Sequence, residues 1–309
     1  MKRFLWRLAA FLGIPAILFA VYPSEQHPYV VNRRTYVERL RDFEARPGVE
    51  RVILGDSHAE ALPQDLLVPQ TFNLAEGGDG LSEMLVKAAY ALERSPDLQL
   101  ALVSCDYHMC ARHKLQSPKR TFLFPFIPPE LRGEVYDIGE LERRLVSWDP
   151  IFDGQLYTFE RERLKAELRR FWLGSTTSAS AGGRNPAWFE LTAGERTRRA
   201  RGTGALDYKS LFADPRTTAL YREIVQRLRR NGVRVIGLRF PVDRDYLAEI
   251  NAQDRARVEA LQESLGFERI VDYKDLTQDP RDFADPDHLS RRGALLLLER
   301  LRQDLAIAF

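Results

Sequence analysis

A serine hydroxyl is a poor nucleophile at neutral pH unless a base lies within hydrogen-bond reach. Three residues of this sequence have the types to make such a system. Ser57 stands in RVILGDSHA, residues 51–59, directly behind a short apolar run, and Asp285 and His288 stand three apart in ADPDHLS, residues 284–290. A turn over that spacing lets a carboxylate fold back on an imidazole, hold its tautomer and stabilise the imidazolium formed when the ring takes a proton. Gly-Asp-Ser alone is ordinary turn chemistry. A distant Asp-x-x-His supplies a base with its orienter in one loop, the partner that a serine nucleophile at Ser57 would need. Asp287 is a rival for Asp285, but a residue adjacent to the histidine is expected to face solvent or act as a cap. His58, beside the nucleophile, is expected to pack or cap the following helix, with substrate contact as the alternative.

Further chemistry-bearing residues cluster after a third apolar run, which ends in Ser104-Cys105-Asp106-Tyr107-His108. Cys105, His108, Cys110 and His113 are four soft ligand types, yet their spacing is tighter than that of typical zinc motifs and the segment starts on a strand, where alternate residues diverge. No metal and no cofactor is expected. With only two cysteines the chain is no disulfide scaffold; a Cys105–Cys110 bridge in an oxidising compartment is preferred over zinc, and two unpaired small hydrophobes also fit. Asp106 and His108 are candidates to line a cleft. Arg244 is a candidate for an anionic substrate, with a solvated loop arginine as the alternative. Trp148, Trp172 and Trp188 could stack on sugar rings, although anchoring an irregular subdomain is the commoner role.

The elements that must position these residues alternate. Strand-like runs occur at Val52 to Leu54, Thr71 to Leu74, Leu98 to Val103, Val233 to Phe240 and Arg269 to Val271. Helix-length segments follow at Leu81 to Arg94, Thr217 to Arg230, Ala252 to Leu265 and Arg291 to Leu305, the last behind Ser290 as N-cap and the second closed by Asn231-Gly232. Short buried strands alternating with helices predict an α/β three-layer sandwich with a mostly parallel sheet. In such sheets ligands gather at the carboxyl ends of the strands. Ser57 follows the first strand, Asn73, Gly77, Gly78 and Asp79 the second, Ser104 to His108 the third, and Asp243 and Arg244 the fourth. Residues 108–212, with proline clusters, a charged helix from Thr158 to Arg170 and a small-residue segment from Gly174 to Gly183, read as an insertion between the third and fourth strands.

At the N-terminus, Met1-Lys2-Arg3 precedes an apolar run from Phe4 to Tyr22 broken only by Arg7. Signal peptide and signal anchor both fit. The bulky Phe19, Val21 and Tyr22 around Ala20 offer no small-x-small cleavage site and favour an uncleaved anchor over residues 1–22. Lys2, Arg3 and Arg7 favour a cytoplasmic N-terminus with the bulk of the chain on the other side of the cytoplasmic membrane. Residues 23–49 then read as a linker and short helix, and residues 50–107 with 213–309 as the catalytic domain. Lysine plus arginine, 46, nearly cancel aspartate plus glutamate, 44, so whole-molecule charge gives no argument for nucleic acid.

The Gly-Asp-Ser strand end and the Asp-x-x-His loop before the last helix together resemble the SGNH (GDSL-like) hydrolase superfamily, over residues 50–108 and 233–300. The resemblance implies a flavodoxin-like sandwich, Ser57 as nucleophile, His288 as base and Asp285 as its partner. The second block of that family is matched by FNLAEGGD, with Asn73 leading and Gly78 in place of the glycine that offers an N–H to the oxyanion, beside the N–H of Ser57. The third block departs: the usual asparagine is missing, and Asp106 stands where an amide donor would be. That variant end, with NLAEGG, FPVDRDY at 240–246 and the N-terminal anchor, resembles membrane-anchored extracytoplasmic members that modify envelope polymers. It implies an acyltransferase or esterase acting on an envelope polysaccharide or exopolysaccharide, with acetyl as the expected group and a membrane-bound O-acyltransferase as a candidate partner. A non-catalytic glycan- or partner-binding relative of the same fold is the alternative from another class.

Overall fold

The structure, a computed structural model, describes residues 28–115, 131 and 186–306. The expected anchor, the segment from Thr158 to Arg170, the segment from Gly174 to Gly183, Trp148 and Trp172 lie outside the described residues. Among the described residues no helix is long and apolar enough to cross a membrane. The chain divides into two compact units, Met1–Arg39 with Ile138–Thr177 and Leu40–Asp137 with Ser178–Phe309. Of the first, only residues 28–39 are described. They form the beginning of helix α1 (Pro28–Ala45). All that follows concerns the second unit.

Its centre is a five-stranded sheet of β1 (Arg51–Leu54), β2 (Thr71–Asn73), β3 (Leu100–Ser104), β4 (Arg234–Arg239) and β5 (Arg269–Asp272). The order is β2-β1-β3-β4-β5 and every pairing is parallel. The chain thus starts at β1, turns out to one edge and crosses back over itself, which is the doubly wound, flavodoxin-like arrangement with its switch point between β1 and β3. Every residue of β2 and β3 is buried, as strands covered on both faces must be, whereas β5 is only partly covered. Register aligns Ile53 with Leu102 and Leu102 with Ile236, and this row shares a core with Leu297, Leu298 and Leu301 of α8 (Arg291–Leu305).

The helices obey local chemistry. Helix α3 (Leu81–Arg94) follows Gly80, whose N–H donates to Glu83 Oε2. Helix α5 (Pro215–Arg230) starts with proline behind the Asp214 cap and stops at Asn231-Gly232, where Gly232 has φ +81°. Helix α7 (Ala252–Ser264) starts behind Asn251, and α8 behind Ser290, whose hydroxyl accepts from the Gly293 N–H. Residues 193–208 fall within the segment that the sequence reads as an insertion between β3 and β4. They form helix α4 (Ala193–Tyr208), capped by Thr192 and buried through Ala200, Gly204 and Tyr208. Gly204 is needed there: a Cβ would lie 2.5 Å from the carbonyl oxygen of Tyr246 in the short helix α6 (Arg244–Leu247).

Candidate active site

The turn after β1 is built by GDS residue by residue. Gly55 has no room for a side chain, since a Cβ would lie 2.6 Å from that of Ala59 and 2.8 Å from that of Ser104. Asp56 caps the one-turn helix α2 (Ser57–Glu60), its Oδ1 accepting from the His58 N–H at 3.1 Å. Its other oxygen accepts from His108 Nε2 at 2.7 Å and from Lys114 Nζ. Burial works against the Asp56 charge, but Lys114 and His108 outweigh it and hold the carboxyl well below the usual range. Ser57 thereby sits at the first position of α2, and among the described residues its N–H donates to nothing. Residues 56 to 58 of this turn face a cleft of about 710 Å³.

The second half of the site is the loop before α8. The Ala284 N–H donates to the His288 carbonyl at 2.9 Å, and Phe283 and Leu289 form a one-residue antiparallel bridge. Within this closed loop Asp285 Oδ1 accepts from the backbone N–H groups of Asp287 at 3.2 Å and His288 at 3.0 Å, and pairs with His288 Nδ1 at 2.7 Å. Burial opposes a charge on His288, but the Asp285 hydrogen bond and the Asp287 carboxylate override it and raise its pKa above the ordinary value. With Nδ1 committed to Asp285, Nε2 is the nitrogen left to take a proton. Asp285 and His288 line the same cleft as Ser57. Among the described residues no hydrogen bond joins Ser57 Oγ to His288. Such bonds are commonly long before substrate arrives.

Several expected roles are corrected. Asn73 is no oxyanion donor: its Nδ2 donates to the carbonyls of Ala59 and Leu62, both at 2.8 Å, and its Oδ1 accepts from the Ala75 N–H, so its amide is spent pinning the end of α2. Gly78, at φ +79°, is exposed, has nothing within 4 Å of a Cβ position and does not line the cleft. The glycine beside the nucleophile is Gly77, whose Cβ position is 3.7 Å from Ser57 Cβ and whose N–H donates to Glu60 Oε2 at 2.7 Å. Arg244 is exposed and away from the cleft. Asp106 is buried behind the cleft and is not among the residues that line it, accepting from Ser104 Oγ at 2.9 Å, His58 Nδ1 at 3.1 Å and the Phe240 N–H at 2.9 Å.

His108 does line the cleft, with its ring 4.4 Å from that of His58. His58 is only 2% exposed and bonds Asp106 on one nitrogen and Asp287 on the other, at 3.3 Å. Asp287, expected in solvent, is 8% exposed, and its second oxygen lies 3.6 Å from His288 Nδ1. Cys105 and Cys110 are buried free thiols rather than a bridge, and burial pushes Cys110 up to about 12. Among the described residues the two cysteines gather no histidines around a common point. Two other sets, Asp56 with His58, Asp106 and His108, and His58 with Asp287 and His288, have ligand types close enough for a cation. In the first, Lys114 already supplies charge to Asp56.

No protein-family model and no curated protein matches this sequence. Function rests on what the site can do chemically.

Sequence reasoning missed Lys114 and most of the far wall of the cleft, and it named Asp287 and Trp188 without placing them there. That wall is α4, with Arg199, Thr203, Leu206 and Asp207, together with Trp188 and Leu191. Leu206 is 72% exposed, and among the described residues the buried indole N–H of Trp188 has no hydrogen-bond partner. The arrangement offers a hydroxyl, an oriented base and one unclaimed backbone donor under a wall of mixed polarity.

Proposed function

We propose that this chain is an SGNH-type serine enzyme that forms an acyl-enzyme on Ser57. One observation carries the reading: Asp285 and His288, paired at 2.7 Å in a self-closed loop, line the same cleft as Ser57, although Ser57 and Asp285 stand 228 positions apart in sequence. His288 Nε2 takes the Ser57 proton as Oγ attacks an acyl carbonyl, and the imidazolium is steadied by Asp285. The Ser57 N–H lies at the start of α2, where a developing oxyanion is stabilised. His288 then returns the proton to the leaving group. Water resolving the acyl-enzyme gives an esterase, and a sugar hydroxyl gives a transferase. We assign transfer of an O-acyl group, acetyl as the expected one, to an envelope polysaccharide, from a membrane-anchored extracytoplasmic position and with a membrane-bound O-acyltransferase as candidate partner. The charged start and apolar run of residues 1–22 support that placement.

A second reading, a non-catalytic glycan-binding protein, is favoured by the oxyanion side. The Asn73 amide is spent, the Gly77 N–H is held by Glu60, and Asp106 donates nothing. Losing one such donor typically costs about 100- to 1000-fold in rate. A fluorophosphonate probe and a chromogenic acetyl ester separate the readings. Wild type is expected to label and turn over, and Ser57→Ala to lose both. If wild type neither labels nor turns over, the binding-protein reading replaces ours. Added glycan that captures acetyl in preference to water identifies the transferase.

A further inference from the structure

His58 is surrounded by acceptors. Its Nδ1 meets Asp106 Oδ2 at 3.1 Å and its Nε2 meets Asp287 Oδ2 at 3.3 Å. Asp106 is already accepting from a hydroxyl and a backbone N–H, so it has every reason to act as acceptor toward the ring as well. A neutral imidazole has one N–H and cannot donate to two carboxylates. With both carboxyls ionised, the two contacts call for a ring protonated on both nitrogens. Burial opposes that charge, but Asp106, Asp287 and Asp56 outweigh it and raise the pKa well above the ordinary value.

The same Asp287 reaches the base. His288 Nδ1 is faced by two carboxylates, Asp285 at 2.7 Å and Asp287 at 3.6 Å. Two anions at one imidazole would hold its proton too tightly for a base at neutral pH. The cation that offsets the second anion is His58, whose ring lies 5.2 Å from that of His288, nearly perpendicular. We propose that His58 is a buried imidazolium, clamped between Asp106 and Asp287, that serves as a positioning residue: it fixes Asp287 beside His288 and offsets its charge, leaving His288 able to accept the Ser57 proton. This rests on the serine-enzyme reading for its purpose, though not for its electrostatics. The other groups around the pair are Asp56 from the end of β1 and His108 after β3, with Arg199 and Asp207 of α4 lining the cleft.

The test is NMR titration of the His288 ring in the full chain. His58→Gln removes the cation and is expected to raise the His288 midpoint by roughly one pH unit, whereas Asp287→Asn removes the anion and lowers it by a similar amount. The acid limb of fluorophosphonate labelling should move in the same two directions. A merely structural His58 predicts no such opposition of sign. Midpoints unchanged in both variants, or moved the same way, overturn the proposal. Should His58→Gln fail to fold, wild type itself decides: ring-nitrogen shifts showing two protonated nitrogens on His58 at about pH 7 support it, and a neutral ring overturns it. Absence of labelling in wild type would sink the serine-enzyme reading alone, because the titrations report the coupling without turnover.

Discussion

Asp56 does two things at one position. It caps α2, as turn chemistry asks, and it is also the buried anion on which His108 and Lys114 converge. Lys114 is itself buried, and though burial disfavours its charge, Asp56 raises its pKa above the ordinary lysine value. Removing one partner of such a pair leaves the other charge in low dielectric without its counter-ion. Lys114→Met is expected to cost roughly 3–5 kcal/mol by chemical denaturation. A loss under about 1 kcal/mol would show that His108 alone suffices for Asp56. None of this was legible beforehand, since nothing in Gly-Asp-Ser says that a lysine fifty-eight positions on will meet it. Asp285 and His288 were legible because their pairing is local, closed by hydrogen bonds within one short loop. Asp287 was misjudged for the same reason. Its partner His58 is 229 positions away, out of reach of any reading confined to its neighbours.

At the level of elements, the base loop is held against α8 by an approach only glycine permits. A Cβ on Gly293 would fall 2.1 Å from the Asp282 carbonyl oxygen, at the foot of the loop that carries Asp285 and His288. Gly293→Ala must push α8 and that loop apart. Overpacking of this kind typically costs about 1–3 kcal/mol, and here the shifted loop should also slow labelling of Ser57. Ser290→Ala is the comparison: it removes the cap, typically about 1 kcal/mol, without forcing the loop away. Equal labelling rates in the two variants would show that the loop's position does not govern the base. Helices α3 and α8 were read with correct bounds, α3 from its apolar spacing and α8 also from the Ser290 cap. Helix α4 escaped because its sequence, AGERTRRARGTGALDY, has two interior glycines and almost no apolar stripe. Its buried positions, Ala200, Gly204 and Tyr208, fall four apart on one face, but two of the three are small residues that give no apolar signal.

Across the whole molecule, the parallel order β2-β1-β3-β4-β5 brings strand ends together, and that much of the site followed from the alternation of strands and helices. The oxyanion side did not follow. Which N–H groups remain open depends on where Glu60 and the carbonyls of Ala59 and Leu62 come to rest. Stability should show its own pH signature through Glu83, buried at the start of α3, where burial and then Asp79 raise its pKa to about 7 from 4.5. The folded chain keeps this proton up to about pH 7 and the unfolded chain loses it near 4.5, so the stability tied to it is full below the lower value and gone above the higher. Glu83→Gln keeps an acceptor for the Gly80 N–H without burying a charge. It is expected to be more stable than wild type in urea at about pH 8 and to lose that advantage near pH 5; an equal difference at both would discard the idea. The sheet also has a mechanical asymmetry. Asp106 ties the end of β3 to the start of the segment after β4 through the Phe240 N–H, and ties both to α2 through His58. It is a cross-brace at the working edge. Strand ends joined this way are expected to open together in hydrogen exchange, with thinly covered β5, away from the serine, opening first.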